Sequence, residues 1–233
     1  MKRMIKISLI LLLVGMAVIA AVLFLKEKGA EKKYENDFKN IQESVTEKKP
    51  DVNGLVKKNK DCIGYVQIPG TTISYPVMQT KDKPDFYLNH DFNRNYSFYG
   101  TPYLSAYCDV NKSDNLIIYG HNINGGKMFG ALEQYKDKEF FNKHRKIYFT
   151  TDKKRKYEVF AVMSVNIHEF EYWKFVMARD AKEYDEFVDK VEEQSLWRQG
   201  NKPKYGEQML MLSTCNNGRG DDWRIVVIGK MIV

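Results

Sequence analysis

Cys215 stands where this sequence changes character. The apolar run MLML ends in Ser213-Thr214-Cys215, polar and glycine residues follow, and a second apolar run opens after Arg224. A strand with this ending would hold a thiol at the edge of a sheet, where rigid elements present reactive groups. A cysteine in such a place is a candidate nucleophile. The alternative is an inert buried thiol, because free cysteine is among the most buried residue types.

His121 occupies a similar position in an earlier segment. The stretch NLIIYGHNINGG contains an apolar strand, Leu116 to Tyr119. Gly120 ends this strand, and His121 and a glycine-rich loop follow. Glycine lets other groups approach the backbone closely, and a histidine there could return a proton to a leaving amine. A histidine in a turn is also a common hydrogen-bonding surface residue, and that alternative stays open.

Arg224 lies nine positions after Cys215, at the start of the next apolar run. If the two runs form a hairpin, the guanidinium returns to the thiol and is placed to donate hydrogen bonds to a developing oxyanion. The alternative is a surface arginine paired with Asp221 or Asp222. Arg219, in the interior of the loop, is a rival for the same role.

Other chemistries lack the residue spacing that they require. The sequence has no Cys-x-x-Cys or His-x-x-x-His arrangement for zinc, no P-loop and no dinucleotide fingerprint. We therefore expect no metal site and no organic cofactor. Three cysteines are too few for a disulfide framework. The remaining histidines are interpreted as surface or structural residues: His90, His144 and His168.

The charge of the chain argues against a nucleic-acid partner. Its formal net charge of +7 is spread over 233 residues without a dense basic block. Nucleic-acid modules normally show a clustered basic face or a known signature. The hydrophobic content of 43% is ample for the core of one ordinary domain.

The N-terminal segment has the character of a membrane anchor. Residues 7–25 form an apolar or small-residue run long enough to cross a bilayer, and residues 1–6 are basic. We expect residues 1–6 to be cytoplasmic, residues 7–25 to span the membrane, and the domain to lie outside the cell. A cleaved signal peptide is the competing interpretation.

Residues 26–60 are charged and carry a thin apolar stripe. Tyr34, Phe38, Ile41 and Val45 recur at helical spacing. The spacing predicts a helical stalk from about Glu31 to Lys48 that packs on the domain and ends before Pro50. A coiled coil is the alternative, although two heptads give it little support.

Residues 61–233 are predicted to form a mainly β domain. Two strands surround the turn at Pro69-Gly70 in CIGYVQIPGTTISYPVMQ, and further strands are predicted at residues 115–119, 146–150, 157–165, 208–214 and 224–232. Two helices are predicted, a short one near residues 128–135 and a longer one at residues 181–194. Many short strands with few helices favour a closed or sandwiched antiparallel architecture.

These motifs together resemble the sortases, the membrane-anchored cysteine transpeptidases of Gram-positive bacteria. The resemblance rests on LSTC at residues 212–215, on Arg224 and on YGHN at residues 119–122. It extends over most of residues 63–233, including YLNHDF, MFGALEQY and RIVVIGKMI. The long helix before the cysteine strand and the N-terminal helical extension are similar to the class B branch.

The resemblance implies an eight-stranded closed β-barrel with added helices, and it implies roles for named residues. Cys215 would attack a threonine carbonyl in the sorting signal of a secreted protein and form a thioester. His121 would transfer protons between the leaving and incoming amines, Arg224 would hold the oxyanion, and a peptidoglycan precursor would supply the amine. We also expect four residues to contribute to substrate binding: Ser213, Thr214, Tyr172 and Trp173.

Two other functions are compatible with the same residues. An envelope cysteine endopeptidase would use the same thiol but release the cut protein to water. A membrane-tethered barrel that only binds an envelope ligand would not need Cys215 at all.

Overall fold

The computed structural model describes residues 2–43, 51–216 and 218–232. The chain divides into two units, one ending at Thr46 and one beginning at Glu47. The described residues of the first unit form one helix, α1 (Lys2–Glu43). Its segment Ile5–Lys33 is long and apolar enough to cross a membrane.

Helix α1 runs without a break through the predicted boundary between anchor and stalk at residues 25 and 26. Its apolar side chains from Ile5 to Leu25 are exposed, as a segment that contacts lipid requires. The end of the predicted stalk, residues 44–48, and Pro50 lie outside the described residues.

The second unit is a β-barrel. Its strands are β1 (Cys62–Gln67), β2 (Ser74–Met78), β3 (Tyr103–Leu104), β4 (Asn115–Tyr119), β5 (Asn122–Ile123), β6 (Lys127–Met128), β7 (Lys146–Thr150), β8 (Lys154–Asn166), β9 (Ser195–Arg198), β10 (Met209–Cys215) and β11 (Trp223–Met231). Eight of them pair in the order β11-β10-β4-β3-β2-β1-β7-β8, and β8 pairs with β11 to close the ring. The predicted eight-stranded closed barrel is confirmed. Strand β9 adds to β8 outside the ring, and β5 and β6 form a separate hairpin.

The barrel is not wholly antiparallel, contrary to the expectation. Strands β4 and β10 run parallel through five consecutive residue pairs, and β2 and β3 share one parallel pair. Nearly a hundred residues separate β4 from β10, so a long crossover is available, and parallel strands require one. The carboxyl ends of β4 and β10 therefore lie at the same end of the barrel.

In the part of this unit that the structure describes there are three further α-helices: α2 (Val52–Lys58), α3 (Lys138–Lys143) and α4 (Ala181–Glu193). The Asp180 side chain caps α4 by accepting a hydrogen bond from the Glu183 N–H. Its predicted apolar stripe is buried: Tyr184, Phe187, Val188 and Val191. The short helix predicted near residues 128–135 is a 3₁₀-helix, Gly130–Lys136, and Met128 belongs instead to β6.

The central strands pack their side chains into the barrel core. All residues of β10 up to Thr214 are buried, as are Ile225 to Ile228 of the neighbouring β11. Large aromatic side chains complete the core, among them Tyr65, Phe149 and Tyr157. A strand held this tightly on both sides gives the residue at its end a defined position.

Candidate active site

A cavity of about 580 Å³ opens at the end of the barrel where β4 and β10 finish. Six of the seven predicted site residues line this cavity: His121, Trp173, Ser213, Thr214, Cys215 and Arg224. Its other walls include residues that were not predicted as site residues, among them Leu88, Tyr103, Tyr107 and Tyr119. The fold thus brings together residues that are more than a hundred positions apart, such as Leu88 and Arg224.

Cys215 is the thiol that faces this cavity. It is the last residue of β10, whereas the sequence placed it just after the strand, and it is half-buried. Cys62 and Cys108 are buried, and burial raises their thiol pKa values to about 12 and about 11. A thiol attacks as its thiolate, so these two cysteines are poor nucleophiles at neutral pH.

The parallel register of β4 and β10 sets His121 beside Cys215. Tyr119 pairs with Ser213, and each candidate catalytic residue follows two positions later in its own chain segment. The pairing continues past the strand, because Gly120 N–H donates to the Ser213 carbonyl at 3.1 Å and Thr214 Oγ1 donates to the Gly120 carbonyl at 2.7 Å. Thr214 therefore holds the histidine segment against the cysteine strand.

The imidazole ring of His121 is oriented by a backbone group. Nε2 lies 2.7 Å from the carbonyl oxygen of Leu88, and the ring is stacked on Phe98 at a centroid distance of 6.5 Å. A carbonyl oxygen only accepts hydrogen bonds, so Nε2 carries a proton. In neutral His121, Nδ1 is then the basic nitrogen that can take a proton.

Leu88 was not among the predicted site residues, although it belongs to the YLNHDF motif. Gly100 packs closely against this carbonyl. Gly100 has a φ of 58°, and a Cβ at this position would collide with the carbonyl oxygens of Leu88 and Tyr87. Every residue type has a backbone carbonyl, so the sequence gives no sign that Leu88 supplies this acceptor.

Arg224 faces Cys215 directly across the hairpin. The two residues are register partners in antiparallel β10 and β11. The predicted hairpin is therefore confirmed. Nη1 of Arg224 donates to the carbonyls of Asp221 and Trp223, rather than to the carboxylates considered from the sequence.

The rival arginine is placed differently. Arg219 lies over the ring of Trp223, with its guanidinium carbon 4.1 Å from the ring centroid, and it does not line the cavity. Asp222 lies 3.4 Å from Nε2 of His168, on the surface. Of the two arginines, Arg224 is the one that belongs to a strand and lines the cavity.

Tyr172 supports the site from behind and does not line it. Its side chain is 1% exposed, and its hydroxyl shares a 2.7 Å hydrogen bond with Ser213 Oγ. Burial raises its pKa to about 12, so the phenol stays neutral. Trp173 is 38% exposed and forms part of the cavity wall.

Helix α4 lies away from the cavity that holds Cys215. It borders a second, open depression together with the segment from His168 to Phe175. None of its residues lines the cavity that holds Cys215. The cavity is lined instead by strand ends, by Trp173 and by loop residues such as Leu88 and Tyr107.

Three phenols line the cavity without having been predicted: Tyr103, Tyr107 and Tyr119. The Tyr103 hydroxyl donates to Asp85 Oδ1 at 3.2 Å, and its ring lies 5.5 Å from that of Tyr119. Burial raises the pKa of the Tyr103 and Tyr119 hydroxyls. They remain neutral hydrogen-bonding groups beside the thiol.

The groups at this cavity suit acyl transfer. A thiol, an imidazole and a guanidinium supply what that reaction needs: a nucleophile, a proton carrier and an oxyanion donor. Within the described ranges, no group of three or more histidine, cysteine, aspartate or glutamate side chains is arranged to hold a metal ion.

Comparison with known proteins gives one consistent result. A family model described as the sortase domain matches residues 66–232. The chain is 30% identical over 246 aligned positions to sortase B of Staphylococcus aureus, covering 100% of this chain and 98% of that protein.

Solved structures agree with the sequence match. A Staphylococcus aureus sortase B–substrate complex superposes with a TM-score of 0.76 at 27% identity, covering 89% of this chain and 98% of that one. A sortase B complexed with triglycine also gives 0.76 at 27% identity, covering 88% and 98%. The resemblance seen in the sequence is thereby confirmed, and the chain belongs to the sortase family, as a class B cysteine transpeptidase.

Proposed function

We propose that this transpeptidase joins secreted proteins to the cell wall, using Cys215, His121 and Arg224. The observation that carries the proposal is the parallel β4–β10 register, which sets His121 beside Cys215 at the cavity that Arg224 also lines. A substrate complex and a triglycine complex of related enzymes support a peptide as first substrate and an amine as second.

The first half-reaction cleaves a sorting signal. Cys215 Sγ, as thiolate, attacks the carbonyl carbon of a threonine and forms a C–S bond. Arg224 donates hydrogen bonds to the oxyanion that develops. The C–N bond then breaks, protonated His121 gives its proton to the leaving amine, and a thioester remains on Cys215.

The second half-reaction reverses these steps with a new amine. A peptidoglycan-precursor amine attacks the thioester, His121 accepts its proton, and the new C–N bond forms as the C–S bond breaks. Ser213, Thr214 and Trp173 line the cavity that holds the peptide. Tyr172 acts through Ser213, whose hydroxyl it orients.

We propose a single membrane span with the barrel on the outer face of the membrane. Segment Ile5–Lys33 of α1 supports the span, and the basic residues before it support a cytoplasmic N-terminus. Protease added to intact protoplasts should degrade the barrel, whereas a cytoplasmic marker survives. Protection of the barrel would reverse the orientation.

The enzymatic test uses the full chain in detergent with peptides that carry Leu-Pro-x-Thr-Gly, Asn-Pro-x-Thr-Asn or Pro-Pro-x-Thr-Gly, with and without triglycine. Mass spectrometry should show a thioester on Cys215 and a triglycine-ligated product, both absent in Cys215→Ala. Hydrolysis that is indifferent to triglycine would favour an endopeptidase. Folded protein that forms no adduct with any peptide would favour a binding barrel.

A further inference from the structure

The Cys215–Asn216 peptide and the Asn216 side chain are hydrogen-bonded to groups that do not line the cavity. Cys215 is the last residue of β10, and the chain leaves the sheet at the peptide that follows it. Asn216 is 0% exposed, and its backbone N–H donates to the Trp223 carbonyl at 2.8 Å. The other contacts of this peptide therefore affect the orientation of the Cys215 thiol.

One side of the peptide is held by the residue that follows His121. Asn122 Nδ2 donates to the Cys215 carbonyl at 2.7 Å and to Glu133 Oε1 at 2.9 Å. An amide nitrogen has two hydrogens, so both are used. This side chain links the backbone next to the histidine with the backbone of the nucleophile, and Glu133 determines its orientation.

The side chain of Asn216 is held by Lys136, which lies three residues after Glu133 in the 3₁₀-helix Gly130–Lys136. Lys136 Nζ pairs with Glu133 Oε2 and donates to Asn216 Oδ1 at 2.7 Å. Residues three apart in a 3₁₀-helix lie directly above one another, which places the two charges side by side. Asn216 Nδ2 then donates to Ser164 Oγ at 2.9 Å.

These contacts form a closed ring. It runs from the Cys215 carbonyl through Asn122, Glu133 and Lys136 to the Asn216 side chain and back along the chain. Charge-assisted hydrogen bonds are roughly twice as strong as neutral ones, and the ion pair joins the two neutral amides. Within the described residues, neither Glu133 nor Lys136 is part of the cavity lining, so both act without touching the substrate.

We propose that Glu133 and Lys136 are positioning residues, whose ion pair fixes the Cys215–Asn216 peptide and thereby the aim of Sγ relative to His121. The inference rests on the proposed function of Cys215 and His121. A shift of about 1 Å in a reacting group costs on the order of a hundredfold in rate. Loosening the ring therefore lowers turnover more than peptide binding.

The test compares the full-length wild type with Glu133→Ala, Glu133→Gln, Lys136→Met and Lys136→Arg. Glu133→Ala and Lys136→Met should each lower kcat for triglycine ligation by about ten- to a hundredfold, with KM for the peptide nearly unchanged. Lys136→Arg should recover most of the loss, and Glu133→Gln part of it, because its amide oxygen still accepts from Asn122. The double variant Glu133→Ala/Lys136→Met should have a kcat no lower than that of either single variant, because the two residues act as one unit.

Glu186→Gln is the matched control. Glu186 also forms an ion pair, with Lys182 at 3.8 Å on the surface of α4, and its removal should leave kcat and thermal stability near those of wild type. A purely structural role for Glu133 would lower thermal stability but leave kcat per folded molecule unchanged. That result, or variants that match wild type in kcat, would overturn the proposal.

A second readout needs no peptide substrate. The rate of Cys215 alkylation by iodoacetamide is followed against pH by mass spectrometry. In Glu133→Ala and Lys136→Met the profile should move toward that of His121→Ala, whereas Glu186→Gln overlays wild type. An unmoved profile contradicts the positioning role even if no peptide is ligated, and it separates this failure from failure of the proposed function.

Discussion

The Leu88 carbonyl accepts a 2.7 Å hydrogen bond from Nε2 of His121. This contact keeps the proton of neutral His121 on Nε2 and leaves Nδ1 basic. We expect ¹⁵N NMR of the histidine side chains to show the Nε2–H tautomer for neutral His121. A dominant Nδ1–H form at His121 would contradict the assignment of the proton carrier.

Thiol reactivity should separate the three cysteines. Cys215 is half-buried at the cavity, whereas Cys62 and Cys108 are buried with raised pKa values. Iodoacetamide at pH 8 should label Cys215 alone in the native protein and all three after unfolding in denaturant. Labelling of Cys108 in the native state at the rate of Cys215 would show that its burial is not maintained in solution.

The two arginines of the hairpin region should differ in their effect on catalysis. Arg224 faces Cys215 across the strands, whereas Arg219 packs on Trp223. Arg224→Ala should lower kcat by about a hundred- to a thousandfold, the usual loss for one oxyanion donor. Arg219→Ala should leave kcat near wild type. If peptide ligation showed a larger loss of kcat for Arg219→Ala than for Arg224→Ala, Arg219 would be the oxyanion donor.

Gly100 should not tolerate a side chain. Its φ of 58° disfavours any residue with a Cβ, and that Cβ would collide with the carbonyls of Leu88 and Tyr87. Gly100→Ala should lose more than the ~1–2 kcal/mol that a left-handed backbone costs, and it should also lower kcat by displacing the acceptor of His121. Denaturant unfolding measures the first effect, and ligation the second.

Gly206 provides the control for this substitution. Its φ is 91°, and a Cβ there would meet nothing within 4 Å. Gly206→Ala should therefore lose only the backbone contribution and keep kcat. Equal losses of stability in the two variants would show that the contact with Leu88 is unimportant.

Stability should fall in mildly alkaline solution. Burial raises the pKa of Cys108 from 9.0 to about 11, so above pH 9 the unfolded thiol loses its proton while the folded thiol keeps it. The unfolded state then binds fewer protons, and the free energy of unfolding decreases by up to about 1.4 kcal/mol per pH unit for this thiol. Urea unfolding between pH 8 and 10.5 measures the slope.

Cys108→Ala should make that slope shallower, whatever it does to stability at pH 8. The same sign holds for Cys62, whose pKa is raised from 9.0 to about 12. A slope unchanged by either substitution would mean that these thiols ionise alike in the folded and unfolded states.

Much of the fold could be predicted from local pattern. The alternation and turn residues located β4 and β7 to the residue, and the apolar spacing located α4. The errors have physical causes. Cys215 completes the strand because β11 pairs with it, and a single segment does not show how far its partner extends.

The candidate site was predictable only in part. Cys215, His121 and Arg224 stood out because reactive side chains followed apolar strands. Leu88 and Gly100 act through backbone atoms, and Tyr172 turned out to be buried behind Ser213. Glu133 and Lys136 have the spacing of an ordinary surface ion pair, so the sequence does not distinguish them from many others.

The sequence by itself determined the chemical groups, the strand pattern and the family of this protein, because these depend on residue types and local spacing. Only the tertiary structure decided that β4 and β10 run parallel in adjacent register, which sets His121 beside Cys215. It also decided which backbone carbonyl orients the imidazole and which charges surround the Cys215 peptide. Such contacts join segments tens of residues apart, and their geometry follows from closure of the whole barrel.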